Sequence, residues 1–347
     1  MIFKIDPLQD PRWPALVEKH PLASVYHTRG WLEAIHRTYG FRPTAYTSSA
    51  PSSELSNGLV FCRIRGLLSG SGLVSLPYSD HCEPLCESPE ELDFLMGCLQ
   101  AEMDHREWKY LEMRPIRWNL NRRGERAGFR PLKTYVLRRL DLRPSVDDMF
   151  RRLHESHQRR IQSAEHSGLV VECGQSEKLL INFYRLMALA QQRHQLPLQS
   201  FEWFRNLGDC LGESLEIRVV SRAEVSIAAG ILLRFRDTVV GKYSCSDARY
   251  DNLGAASYLL WSEMLDAKSK GILEFDLGRM AHSNPGLAQP EDEWGGNQAE
   301  LVYWRYPTPR FAFLDGSAAP RVGKSLFEFL SQPLRKAAGR VLYPHLG

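Results

Sequence analysis

The sequence predicts an α/β protein of mixed sheets, organised as two similar domains. Three observations predict it. A strand–helix–strand passage occurs twice in the chain. Near residue 75, LVSLPYSD leads into PEELDFLMGCLQAEM and then WKYLEMRP; near residue 240, VVGKYSCSD leads into GAASYLLWSEMLDAKSKG and then ILEFDLG. Each passage is a strand ending in Ser-Asp, an amphipathic helix and a second strand carrying a carboxylate, with Asp80 and Glu112 in the first copy and Asp247 and Glu274 in the second. Self-similarity on this scale indicates duplication of one α/β unit. A hairpin meander precedes each copy, and 347 residues suit two domains better than one. Two such domains side by side make a cleft, a common place for ligands.

The elements follow in order. Residues 28–39 read as a helix: Thr28 caps it, Trp31, Ile35 and Tyr39 share a face, and Gly40 ends it. The polar stretch 48–57 is a loop. Strands are expected at about 58–65 and 72–78, with SGSG at 69–72 as their turn. Residues 145–167 are expected to form one continuous helix, started by Ser145, Asp147 and Asp148 and ended by Gly168. Its stripe is apolar at first and turns polar at His157 and Arg160, and a polar group on a core-facing stripe must find a partner or border a cavity. Helices follow at 176–195 and 200–211, broken by Pro197. Strands near 215–221, 226–235 and 237–244 lead to the second copy, and LVYWRYP at 301–307 is a further strand. The expected domains are 1–137 and 138–317, with the tail 318–347 packing back on the first. That tail carries Arg321, Lys324, Arg335, Lys336 and Arg340 against Glu328 alone, beside Leu326, Phe327, Phe329, Leu330 and Leu334. A basic segment of this kind suits weak contact with an anionic inner-membrane surface, though docking of its apolar side on the first domain is the plainer reading.

Composition excludes several classes. A net charge of +3 gives no whole-protein field for DNA. The N-terminal stretch lacks an apolar core of signal-peptide length and no apolar run is long enough to span a bilayer, so a cytoplasmic protein is expected. The seven cysteines are scattered and read as reduced thiols; His81-Cys82-x-x-x-Cys86 lacks a second ligand pair, so no metal is assigned. The stronger short catalytic motifs, such as a P-loop or a G-x-S-x-G elbow, do not occur.

A meander followed by strand, helix and strand resembles the acetyltransferase fold of the GNAT superfamily. In that fold two neighbouring parallel strands part, an acyl donor lies in the gap, and its pyrophosphate rests on the next helix N-terminus. Here that helix start is Asn252-Leu253-Gly254-Ala255-Ala256, which makes Gly254, Ala255 and Ala256 the donor-binding candidates. Asp251 stands where the superfamily has Arg or Gln, and the first copy has Glu90 and Glu91 at its helix start, so weak binding of free coenzyme A is expected. The tandem arrangement resembles the FemAB family of peptidoglycan-bridge aminoacyltransferases and its relatives in exopolysaccharide and PEP-CTERM export. The pieces that carry this resemblance are Tyr26-His27-Thr28-x-x-Trp31-Leu32, LPYSDHCEPL at 76–85, RRLHESHQRRIQSAEHSGL at 151–169, KYSCSDARYD through FDLG at 242–278, Trp294-Gly295-Gly296 and the QPLRKAAGRVLYPHL tail.

The resemblance implies two tandem acyl-CoA N-acyltransferase-like domains. It implies transfer of an acyl or aminoacyl group, from acyl-CoA or aminoacyl-tRNA, to an amine or hydroxyl of a lipid- or nucleotide-linked glycan or peptide precursor. No tightly bound cofactor is implied. His157, Arg159 and Arg160 would then meet phosphate or carboxylate, since guanidinium binds both bidentately. Asp276, Asp247 and His81 are the candidate bases. For each a structural role competes: Asp247 as a turn cap, Asp276 in a strand-end turn before Gly278, and His81 on backbone. Tyr78, Asp80, Tyr243 and Trp294 complete the substrate-binding candidates, with packing as the plainer reading of the aromatic ones. FemAB relatives carry a Phe-Lys pair ahead of the Trp-Gly segment; here that stretch is Gln289-Pro290-Glu291-Asp292-Glu293. Coenzyme A-dependent acetylation of a small amine, and non-catalytic binding in polysaccharide assembly, are the competing functions.

Overall fold

A computed structural model describes residues 1–66, 70–103, 108–118, 128–281 and 294–307. It divides into two compact units, Met1–Tyr135 with Glu300 onward, and Val136–Ala299.

The first unit begins with β1 (Phe3–Ile5), α1 (Arg12–Lys19) and α2 (Arg29–Tyr39). In α2 the Thr28 side chain accepts from Trp31 N, Gly40 closes the helix at φ 71°, and Trp31, Leu32, Ala34 and Ile35 are buried. These are the helix and caps expected from the sequence. Antiparallel β2 (Pro43–Thr47), β3 (Leu59–Gly66) and β4 (Gly70–Val74) follow, then α3 (Pro89–Met103) and β5 (Tyr110–Met113), which pairs parallel to β4. Gly70 and Gly72 are strand residues, Gly66 pairing with Gly70 and Ile64 with Gly72, so SGSG at 69–72 is not the turn expected there; residues 67–69 lie outside the described residues. The last strand of this sheet, β12 (Asn297–Tyr306), joins β5 antiparallel, with Trp304 opposite Met113. This strand was expected in the second domain; its Trp304 instead packs with Phe61, Leu95, Leu111 and Met113 in the first core.

The second unit starts within β6 (Arg130–Asp141). The helix expected over 145–167 is in fact two, α4 (Val146–Arg152) and α5 (Glu155–Glu165). Leu153 and His154 are extended at ψ 145° and 147°. Leu153 is buried in the core, and the His154 ring accepts from Ser156 N, so burial and a local cap together outweigh helix continuation. Next come β7 (Val170–Gly174), α6 (Glu177–His194), α7 (Phe201–Leu211), the antiparallel strands β8 (Leu215–Arg222), β9 (Val225–Phe235) and β10 (Thr238–Ser246), then α8 (Ala255–Ser269) and β11 (Glu274–Ala281). Ser176 and Ser200 cap α6 and α7. This sheet runs β7-β8-β9-β10-β11-β6, with β10 and β11 parallel.

Both units therefore hold an antiparallel run, a parallel pair joined through one helix, and a closing strand. Register identifies equivalent residues. The last parallel rung pairs Val74 with Glu112 in one unit and Val240 with Asp276 in the other. The counterpart of Glu112 is thus Asp276 rather than Glu274. No described helix is long and apolar enough to cross a membrane.

Candidate acyl-transfer site

The parallel ladder in the second unit is short. It pairs Thr238–Val240 with Glu274–Asp276 and stops, although β10 continues to Ser246 and β11 to Ala281. Beyond Val240 the β10 backbone keeps its bonds to β9 but has left β11. At the same point β10 slips against β9: Gly241 faces Leu232, Tyr243 faces Ile231, and Lys242 is the extra residue. A bulge adds twist and re-aims a side chain, and such bulges are over-represented beside active sites. A Cβ on Gly241 would lie 3.1 Å from the Phe275 ring, so the parting begins at a residue without a side chain.

Along this stretch of β10 lies a cavity of about 330 Å³. It is lined by Met187, Ala190, Gln191, Arg193, His194 and Leu196 from α6 and its end, and by Lys242–Ser246 from β10. Tyr243 is held by its hydroxyl, which accepts from Trp203 Nε1 at 2.8 Å, and by edge contacts with Phe183 and Phe204. Lys242 Nζ lies 5.7 Å from the Tyr243 ring centre.

The start of α8 is the second feature. Gly254 is left-handed at φ 67°, and a Cβ there would lie 2.5 Å from the Arg160 carbonyl oxygen. Only glycine fits, and the contact brings α5 against the helix start. Ala255 follows as the first helical residue, with no side-chain cap on the turn. Free backbone N–H groups at such a start favour an anion. Arg160 is exposed and has no ion-pair partner among the described residues, so the cation that Asp251 fails to provide is available from α5. Asp251 itself lies 4.0 Å from Arg193.

The other candidates fall into distinct roles. His157 is buried, with Nδ1 2.9 Å from Ser257 Oγ and its ring 4.4 Å from that of Trp294. His157 and Trp294 thus pin α5 to α8 rather than line an open surface. Arg159 is exposed and 3.7 Å from Glu155 on its own helix. Asp247 accepts from Arg249 N and from its guanidinium; the Arg249 hydrogen bonds hold its carboxyl below the ordinary range, which suits a cap and not a base. Asp276 is buried, accepts from Gly278 N at 2.7 Å, and pairs with Arg139 at 3.3 Å. The strand-end turn expected there is instead a bend inside β11, where Gly278 is left-handed at φ 74°, and Asp276 braces it at the parting point.

His81, Asp80 and Tyr78 belong to the first unit. Tyr26 donates to Asp80 Oδ2 at 2.7 Å, Tyr303 donates to the Asp80 carbonyl at 2.7 Å, and His81 packs edge-on against Tyr26. Tyr78 is left-handed at φ 65° and stacks on Tyr39, ring centres 4.3 Å apart. These three lie in the first unit, and the gap along β10 lies in the second.

Lys242, Arg193 and His194 escaped the sequence reading. A signal existed: an isolated glycine inside a strand pattern, as in VVGKYSCS, marks a bulge. Glu263 was also missed. It projects from α8 beneath Gly230, is buried, and burial with incomplete compensation by Arg218 pushes its carboxyl up to about 8.

With this geometry in place, comparison with known proteins defines the class. Residues 150–284 match the GNAT acetyltransferase domain family, so the chain carries an acyltransferase domain of that class. Over most of its length the chain is similar in fold to solved structures that include a tandem GNAT protein. It matches FemX with a TM-score of 0.67 at 12% identity, over 92% of this chain and 100% of that one. It matches L-PGS from Bacillus licheniformis at 0.57 and 12%, over 93% and 97%. A tandem GNAT protein from the clavulanic acid biosynthesis pathway matches at 0.55 and 8%, over 90% and 99%. At these identities the likeness is one of fold. No curated protein matches the chain in sequence.

Proposed function

We propose that the protein transfers an acyl or aminoacyl group to an amine or hydroxyl of a cell-envelope or exopolysaccharide precursor, and that its second unit, Val136–Ala299, carries out the step. The observation that supports this is the parting of β10 from β11 beside a bulge and a cavity. The donor lies in that gap, its anionic end at the start of α8 beside Arg160. Backbone N–H groups of β10 released from β11 are the natural oxyanion donors. The acceptor amine attacks the donor carbonyl, a C–N bond forms, the C–S or C–O bond to the carrier breaks, and the amine proton leaves with the carrier.

On the resemblance of the sequence to FemAB aminoacyltransferases, the proposed donor is aminoacyl-tRNA and the proposed acceptor a lipid- or nucleotide-linked precursor; the likeness in fold to FemX accords with this. Within this reading the enzyme works in the cytoplasm; the basic tail, for which docking or weak membrane contact was expected, lies outside the described residues along with 289–293. A second reading, coenzyme A-dependent acetylation of a small amine, is favoured by the position of Arg160 at a helix N-terminus.

The test offers the full-length protein labelled aminoacyl-tRNA or labelled acetyl-coenzyme A, with lipid-linked precursors or small amines. Label moving from aminoacyl-tRNA to a precursor supports the first reading. Label moving only from acetyl-coenzyme A to small amines, with a dissociation constant of about a micromolar (about −8 kcal/mol), replaces it with the second.

A further inference from the structure

We propose that Glu263 supplies and takes back the proton of the acyl-transfer step, acting through the Ser244 hydroxyl at the parted edge of β10. This rests on reading that edge as the wall of the acyl-transfer site. Register carries the first part of the argument. Arg218 on β8 pairs with Gly230 on β9, and Gly230 pairs with Ser244 on β10. Residues directly opposite each other on antiparallel strands share one face of the sheet. Arg218 donates to the Ser262 carbonyl, so this face is the one that α8 covers. Ser244 is exposed on it, beyond the last rung that β10 shares with β11.

Glu263 enters this row at the glycine. A Cβ on Gly230 would lie 2.6 Å from Glu263 Oε1 and 3.2 Å from the Tyr243 carbonyl oxygen, so the carboxyl fills space that any other residue there would take. Opposed Cβ atoms on antiparallel strands stand roughly 4.5–5.5 Å apart. The buried carboxyl therefore comes within the span of a hydroxyl, or of one water, from the Ser244 side chain. Charge balance does not account for an acid at this place. Arg218 pairs with Glu216 and Asp266, and Lys270 pairs with the same two acids, so those four charges cancel. An ionised Glu263 would add a buried negative charge to a neutral set. The charged groups that act on it are Arg218 and Glu216, both from β8, while β9 and β10 bring Gly230 and Ser244. Burial raises its carboxyl to about 8, against Arg218 and with Glu216. Near neutral pH it is a carboxylic acid matched to proton transfer in both directions.

The step balances. As the C–S or C–O bond to the carrier breaks, the Ser244 hydroxyl gives its proton to the departing sulfur or oxygen, and Glu263 gives its own to Ser244. The C–N bond forms, and the proton shed by the nitrogen returns along the same path to the Glu263 carboxylate. A hydroxyl acceptor sheds its proton in the same way.

The test has a spectroscopic arm and a kinetic arm, both on the full-length protein. Infrared difference spectra between acid and alkaline pH should show a protonated-carboxyl band that vanishes as pH rises through about 8, well above the range of ordinary carboxyls. The band should be missing in Glu263→Gln and shifted in Ser244→Ala. An unmoved band in Ser244→Ala overturns the proposal. Ser244 is exposed, so this variant serves whether or not Glu263→Gln folds. The kinetic arm follows label from aminoacyl-tRNA or acetyl-coenzyme A. Glu263→Gln should lower kcat roughly a hundredfold and Ser244→Ala roughly tenfold, with KM unchanged, and Ser244→Thr should keep the rate. In the wild type kcat should decline above about pH 8, where the acid is lost, and that decline should be absent from Glu263→Gln. A structural acid would change the melting temperature and leave the pH profile in place. If no donor gives transfer while Ser244→Ala moves the band, the link from Glu263 to the gap stands and the transferase reading falls. If transfer keeps its kcat and pH profile in Glu263→Gln, or in Ser244→Ala, the transferase reading stands and this proposal falls.

Discussion

At the last rung of their parallel ladders the two units diverge. In the first, the chain itself fills the space beyond Val74. Ser75 N still bonds the Glu112 carbonyl, and Cys82 bridges to Arg114. The Arg114 guanidinium donates to the carbonyls of Leu76 and Ser79 and to Glu112, and its plane lies 4.5 Å from the Tyr303 ring centre. Arg305 takes the second oxygen of Glu112 at 2.7 Å. In the second unit, β10 simply leaves β11, and the counterpart carboxylate, Asp276, is braced by Arg139 and the turn at Gly278. One duplicated unit thus has two outcomes. In the first, the loop carbonyls and the Arg114–Glu112–Arg305 cluster pack the space beyond the last rung; in the second, a cavity lies along the continuing β10. Burial works against the charge of Glu112, but Arg114 and Arg305 outweigh it and hold the carboxyl below the ordinary value, so the closed gap contains a true ion pair.

The sharpest way to break the contrast is to open the first gap. Arg114→Met leaves Glu112 buried with Arg305 alone and strands two loop carbonyls; uncompensated burial of this kind costs about 3–5 kcal/mol. Denaturant unfolding should show that loss, while anion binding by the second unit is unchanged. The second unit should be most sensitive at Gly254. Gly254→Ala forces a Cβ into the Arg160 carbonyl at positive φ, a strain of about 1–3 kcal/mol. Calorimetric unfolding should show the loss, and binding of the donor's anionic end should fall with it.

The units should also fail at opposite ends of the pH scale. Burial lowers His27, in the first, to about 4. The unfolded chain then binds more protons between about 6.5 and 4, so stability falls as pH drops through that window. Glu263, in the second, is raised to about 8. The native state binds more protons between about 4.5 and 8, so stability falls as pH rises across that window and levels off above it. Glu263→Gln should remove the alkaline decline, worth on the order of a few kcal/mol, and leave the acid limb intact. Melting temperatures from pH 5 to pH 9 check this; a parallel offset at every pH would contradict it.

The smallest effects separate the two arginines of α5. Arg159→Ala should cost about 0.3–0.5 kcal/mol, the worth of an exposed helical pair, with no effect on binding. Arg160→Ala should leave the melting temperature in place and weaken anion binding at the helix start roughly tenfold. Thermal melts beside calorimetric titration distinguish them.

Much of this was legible in the chain. The duplicated strand–helix–strand unit, the cap at Thr28, the helices beginning near 176 and 200, and the glycine at the start of α8 are local patterns, and local hydrogen bonding decides them. The break at Leu153–His154 was not legible, because a continuous 3.6-residue stripe looks the same whether or not one residue leaves the helix to enter the core. For Asp247 and Asp276 the sequence leaves a base and a turn role side by side; the bonds from Arg249 and Gly278 and the pair with Arg139 are what the structure adds.

By itself, the sequence determined the class of unit, its repetition and most element boundaries, since these follow from periodicity and caps within a few residues. The tertiary structure decided the pairing of β5 with a strand nearly 200 residues away, the equivalence of Glu112 with Asp276, and the convergence of Lys242 with Arg193. Register, bulges and cavities are sums over distant contacts. Each is set by which buried polar groups find partners, and no local pattern records that.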